Sequence, residues 1–139
     1  MNLDPLGAQV RHLFASLTHA GDAVEDGEEP AALLTVQGEA GREQRGTRVR
    51  FTLKFHRGEL VQARYHAYGC PHTLAACEWL ARELEAGQLA SIGEPADWCR
   101  TLGVPIVKLG RLLVVEDALR AALNAAALKA AETGKNVVK

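Results

Sequence analysis

Between Arg48 and Tyr68 the hydrophobicity of this chain alternates with a period of two, twice in succession, and that pattern leaves few folds open. Val49, Phe51, Leu53 and Phe55 interleave with Arg48, Arg50, Thr52 and Lys54, the signature of a strand with one buried and one solvated face. His56-Arg57-Gly58 supplies a tight turn. The run from Glu59 to Tyr68 then sets Val61, Ala63, Tyr65 and Ala67 on one face, so the two runs predict an antiparallel hairpin. A shorter candidate strand, Ala32 to Gly38, precedes them, joined by a charged, glycine-rich connection from Gly38 to Gly46.

After Tyr68 the period becomes helical. Gly69-Cys70-Pro71 opens a segment whose Leu74, Cys77, Ala81 and Leu84 form one apolar stripe, with Gly87 as its stop. A short helix is expected around Pro95 to Leu102, closed by Gly103. A last one begins after Gly110 and runs to about Thr133, carrying Leu112, Val115, Leu119, Ala122, Leu123 and Ala126. At the other end, Asp4 and Pro5 read as N-cap and first helical residue of a helix with Leu6, Val10, Leu13, Phe14 and Leu17 on one side. Gly21 stops it, and an acidic loop from Asp22 to Pro30 follows. Strands first and helices afterwards predict an α+β fold, a small antiparallel sheet of about three strands covered by helices. One domain is expected over residues 1–139, with an N-terminal helix within 1–21 and a flexible tail over 134–139.

Aromatic residues make up only 5% of the chain against 47% hydrophobic overall, so Ala, Leu and Val must fill the core. A formal net charge of -1 argues against a nucleic-acid or membrane-surface partner. No apolar run is long enough to span a bilayer, and Met1 to Leu17 lacks a signal-peptide pattern, so a cytoplasmic location is expected. Three cysteines are an odd number for a disulfide framework, and all three are read as reduced thiols.

Cys70 carries the chemical interest. As N-cap of the helix opened by Pro71, its sulfur lies beside unpaired backbone N–H groups at the positive end of the helix dipole. That setting stabilises a thiolate and lowers the thiol below its usual value of about 8.5. Such a thiolate can ligate metal, accept sulfur or attack an electrophile; the alternative is a small residue filling a tight corner. Cys77 falls on the core stripe and reads as filler, and Cys99, beside Trp98, reads as structural. His72 and His66 flank Cys70 in sequence and are the imidazoles able to approach it. No cysteine pair has zinc-knuckle spacing, and Gly38, Gly41 and Gly46 lack the ending of a phosphate loop.

These pieces together resemble the IscU/NifU-type iron–sulfur cluster scaffold family, from about Arg45 to Ala122. The resemblance rests on Gly58, on Ala63-Arg64-Tyr65-His66-Ala67-Tyr68-Gly69-Cys70, on Val104-Pro105-Ile106-Val107-Lys108, and on Glu116-Asp117-Ala118-Leu119. It implies a non-enzymatic scaffold that holds a [2Fe–2S] cluster, or zinc in its absence, on three cysteines and a His or Asp. Cys70 matches one ligand. The other cysteine positions are similar to Arg45-Gly46-Thr47 and to Lys108-Leu109-Gly110-Arg111, where Arg45, Gly110 and Arg111 replace the family's ligands. The metal candidates left are Cys70 and His72, with Cys77 or Cys99 as helpers. Arginine has no lone pair to offer iron, and guanidinium groups beside Cys70 would favour an anion, a persulfide or an acidic partner. Val104, Pro105, Val107 and Lys108 resemble the peptide that scaffolds present to an Hsp70-type chaperone, and a cysteine desulfurase is the other implied partner. Three readings therefore stand: a scaffold with a degenerate site at Cys70, a non-metal adaptor docking on the assembly machinery, or a persulfide-carrying thiol protein.

Overall fold

The hairpin forms as its turn chemistry dictates. In the computed structural model, which describes residues 7–23 and 33–137, β2 (Thr47–His56) and β3 (Glu59–Tyr68) pair antiparallel around Arg57 and Gly58. Both turn residues have positive φ, 53° and 84°, the primed geometry whose twist matches the strands. β1 (Leu33–Arg42) pairs antiparallel with the other edge of β2, giving the order β1-β2-β3. The sheet therefore has three antiparallel strands, and helices α2 (Pro71–Glu85), α3 (Pro95–Leu102) and α4 (Leu109–Val137) follow it in the chain. This is the α+β layout expected.

β1 does not stop at Gly38. That glycine pairs with Phe51 in mid-strand and faces α4; a Cβ there would lie 2.0 Å from the Ala122 amide nitrogen and 2.5 Å from the Ala118 carbonyl oxygen. Gly38 is thus where strand and helix backbones meet, and its lack of a side chain serves close packing, not strand termination.

One sheet face, built from Val36, Val49, Phe51, Leu53, Ala63 and Tyr65, buries against α2 and α4, which contribute Cys77, Leu80, Leu84, Leu112, Val115 and Leu119. Each such large side chain taken from water contributes about 1.5–3 kcal/mol. Val61 departs from the expected face. The β2–β3 register jumps from Lys54↔Gln62 to Phe55↔Leu60, leaving Val61 as the bulged residue, 51% exposed. The face expected to be wholly solvated is also partly dry, because Thr52 and Lys54 lie on the central strand and are buried between its neighbours.

Helix α1 (Gly7–Phe14) packs Val10 and Leu13 against α2; Asp4, Pro5 and Leu6, expected to start it, lie outside the described residues. It ends before Leu17, and the chain then joins the free edge of β3. The Tyr65 N–H donates to the His19 carbonyl at 3.2 Å, and the Gly21 N–H donates to the Tyr65 carbonyl at 2.8 Å. Helix α4 begins at Leu109, takes in Gly110, and continues past Thr133 to Val137. Among the described residues no helix is long and apolar enough to cross a membrane.

Candidate functional site

Cys70 occupies the N-cap of α2 in extended conformation, with Pro71 in the first turn. The strand-to-helix junction places its half-buried sulfur among three groups. The Thr73 hydroxyl oxygen lies 3.6 Å away, the Arg111 Nη1 3.7 Å and the His72 Nδ1 3.9 Å. Burial opposes ionisation of this thiol. The N–H and hydroxyl of Thr73, the N–H of His72 and the Arg111 guanidinium outweigh it, so the thiol is held below its ordinary value. No side-chain capping bond of regular geometry forms, so these N–H groups act on the sulfur as nearby dipoles.

The other two thiols differ for one reason, burial. Cys77 is fully enclosed and pushed far up, with the neighbouring Glu78 adding to the effect. Cys99 is raised by burial and partly offset by Arg100. Neither approaches Cys70 by any described contact. His66 also turns elsewhere: its Nε2 pairs with Asp22 at 2.7 Å.

Arg111 has a second neighbourhood. It lines an open cavity of about 540 Å³ together with Gly41, Arg42, Arg45, Thr47, Val107, Lys108, Gly110 and Val114. The 3₁₀ turn Glu43–Arg45 after β1 and the head of α4 supply these walls from opposite sides. The two segments that the resemblance sets in place of ligands, Arg45-Gly46-Thr47 and Lys108-Leu109-Gly110-Arg111, thus converge on one pocket, and Arg111 links it to Cys70. Among the described residues, four cations line it and no carboxylate does.

This donor set does not fit a metal centre of the family's kind. Iron in a cluster is held by thiolates; here one sulfur faces a guanidinium 3.7 Å away. Among the described residues no three His, Cys, Asp or Glu side chains gather closely enough to hold an ion. His72 is buried beside Cys70 and is the nearest second donor.

Of the peptide Val104 to Lys108, Val104 is buried, whereas Ile106 and Val107 are 67% and 81% exposed. Ile106–Lys108 forms a 3₁₀ turn that leads into α4. Two residues escaped sequence reasoning. Thr73 occupies the third helical position after Cys70, where an N-cap's partners lie, and that spacing was the available signal. Glu78 is buried on α2 and accepts from Tyr65 Oη at 3.0 Å, Arg82 Nε at 2.7 Å, the His19 N–H at 3.0 Å and the Thr18 hydroxyl at 3.2 Å. It clamps the segment after α1 to the sheet, and nothing local in the sequence announces it.

A family model described as NifU-like N terminal domain matches residues 8–133. No curated protein matches the sequence.

Proposed function

Because the chain belongs to the NifU-like N-terminal domain family, whose role is to scaffold iron–sulfur cluster assembly, we propose that it serves that process by handling sulfur at Cys70, with the family's metal site degenerate. The observation that carries this reading is the Cys70 sulfur itself, ionisable and half-buried, with Arg111 at 3.7 Å and no second thiolate beside it.

The chemistry suited to this arrangement is persulfide transfer. The Cys70 thiolate attacks the outer sulfur of a protein persulfide, of the kind a cysteine desulfurase carries. A new S–S bond forms at Cys70 as the donor's S–S bond breaks, and the electron pair leaves on the donor thiolate. Oxidation level is conserved and no other reagent is needed. Arg111 and the Thr73 hydroxyl then hold the resulting anionic persulfide. The protein acts as a carrier without turnover of a small substrate, and iron or zinc would have to come with ligands from a partner.

The test loads a cysteine desulfurase with sulfur from cysteine, mixes it anaerobically with the protein, and maps added sulfur by mass spectrometry. One sulfur atom on Cys70, absent in Cys70→Ser, is expected. Stoichiometric iron and acid-labile sulfide retained through Cys70, with no persulfide, would overturn the reading in favour of an adapted cluster site.

A second reading, docking on the assembly machinery, is favoured by the exposure of Ile106 and Val107 beside Lys108. Two apolar side chains held out on a short turn suit capture in a chaperone's peptide groove.

A further inference from the structure

The cavity beside Cys70 is more cationic than a thiol site requires. Arg42, Arg45, Lys108 and Arg111 line it, and among the described residues none of the four has a carboxylate partner. Neighbouring charges are treated differently. Arg48, a few residues along, is paired with Glu39 and lies 3.6 Å from Glu43. Arg64, Arg82, Arg100 and Arg120 each have a carboxylate as well. Arg50 and Arg57 also lack a carboxylate among the described residues, but neither lines this cavity, where four such cations meet. Like charges gathered without a counterion repel one another and are stabilised by an anion. Helix α4, whose head forms one wall, has no acidic residue in its first turn to absorb that charge.

We infer that this pocket binds a small, multiply charged oxoanion, a phosphate-bearing molecule of about diphosphate charge, and that its occupancy tunes Cys70 through Arg111. The proposal goes beyond sulfur handling and does not depend on it. Three of the four cations are arginines, whose planar forks match phosphate oxygens two at a time. The cavity volume of about 540 Å³ lies within the usual range of small-molecule sites. Concavity favours a compact ligand over an acidic protein segment, which would lie along a rim.

Arg111 ties the two sites together because one guanidinium both lines the cavity and sits 3.7 Å from the Cys70 sulfur. A bound oxoanion engages that guanidinium and adds its own negative charge nearby. Both effects disfavour the thiolate, so anion binding raises the Cys70 midpoint and slows its alkylation. By linkage, ionisation of Cys70 weakens anion binding by the same factor.

The experiment titrates the full chain with inorganic pyrophosphate by calorimetry, against chloride at matched ionic strength, while iodoacetamide labelling of Cys70 is followed by peptide mass spectrometry. One-to-one binding is expected, weakened at least about tenfold in Arg45→Glu and in Arg42→Glu. It should persist in Cys70→Ser, and labelling of Cys70 should slow as pyrophosphate saturates. Both arginines are exposed, so circular dichroism is expected to show each variant folded. Binding no tighter in the wild type than in the two charge reversals would overturn the proposal, as would an aspartate-rich peptide binding where pyrophosphate does not. Loss of sulfur acceptance at Cys70 with pyrophosphate binding intact would instead count against the proposed function alone.

Discussion

Replacing Arg111 by glutamine isolates the electrostatic part of Cys70's activation. At 3.7 Å a unit charge pair is worth about 1 kcal/mol in water and about 4–5 kcal/mol at an effective dielectric constant of 20. Both side chains are half-buried at the edge of an open cavity, so solvent screening moves the figure towards the lower limit. About 1 kcal/mol corresponds to roughly 0.7 of a pH unit in the thiol's midpoint. The direction is fixed: removing a cation beside a thiolate raises the midpoint. At a pH well below the midpoint the thiolate fraction then falls about fivefold, while the more basic thiolate gains about twofold in nucleophilicity, for a net slowing of about two- to threefold. The assay is the pH–rate profile of iodoacetamide labelling resolved by peptide, with buried Cys77 as an internal control that stays unlabelled while the protein is folded. A folded Arg111→Gln protein whose Cys70 midpoint is unmoved would refute the claim that the guanidinium holds the thiolate.

Four further outcomes follow from other contacts in the fold. Glu78→Gln leaves Arg82 and Tyr65 with weakened partners in a buried position and should cost roughly 2–4 kcal/mol of stability, read from urea denaturation; a loss within error of zero would contradict the clamp. Burial works to raise Glu78 and Glu85, but Arg82 and His19 at the first, and the Ala63 N–H, His19 and Arg64 at the second, hold both below the usual carboxylate range. Folded values below unfolded ones give stability that is complete above about pH 5 and is lost as pH falls through the folded values, so urea midpoints should be flat from neutral down to that point and decline below it. Gly38→Ala drives a methyl into the Ala122 and Ala118 backbone and should destabilise by about 3 kcal/mol, detected as a lowered melting temperature. Val107→Asp puts charge on a side chain that is 81% exposed; folding should be unchanged while binding to an Hsp70-type chaperone, followed by fluorescence anisotropy, weakens at least about tenfold.

Local chemistry determined much of this protein. The alternation from Arg48 to Phe55, the Arg57-Gly58 turn, Pro71 after Cys70 and Gly103 after Leu102 each act over a few residues, and each is found where its pattern placed it. Cys70 as a thiol at a helix N-cap position was legible for the same reason: that position and its dipole are properties of one turn. What only the tertiary structure decided depends on chain segments far apart. Gly38 reads locally as a strand end, and only the approach of α4 shows why a side chain is forbidden there. The bulge at Val61, the burial of Lys54 on the central strand and the hold of Glu78 on His19 arise from pairing and packing between elements. Arg45 and Arg111 are ordinary surface charges by local pattern, and only the family resemblance set them near Cys70. They become one cationic pocket, one of them touching Cys70, because the turn after β1 and the head of α4 are brought together by a sheet whose register no local pattern encodes.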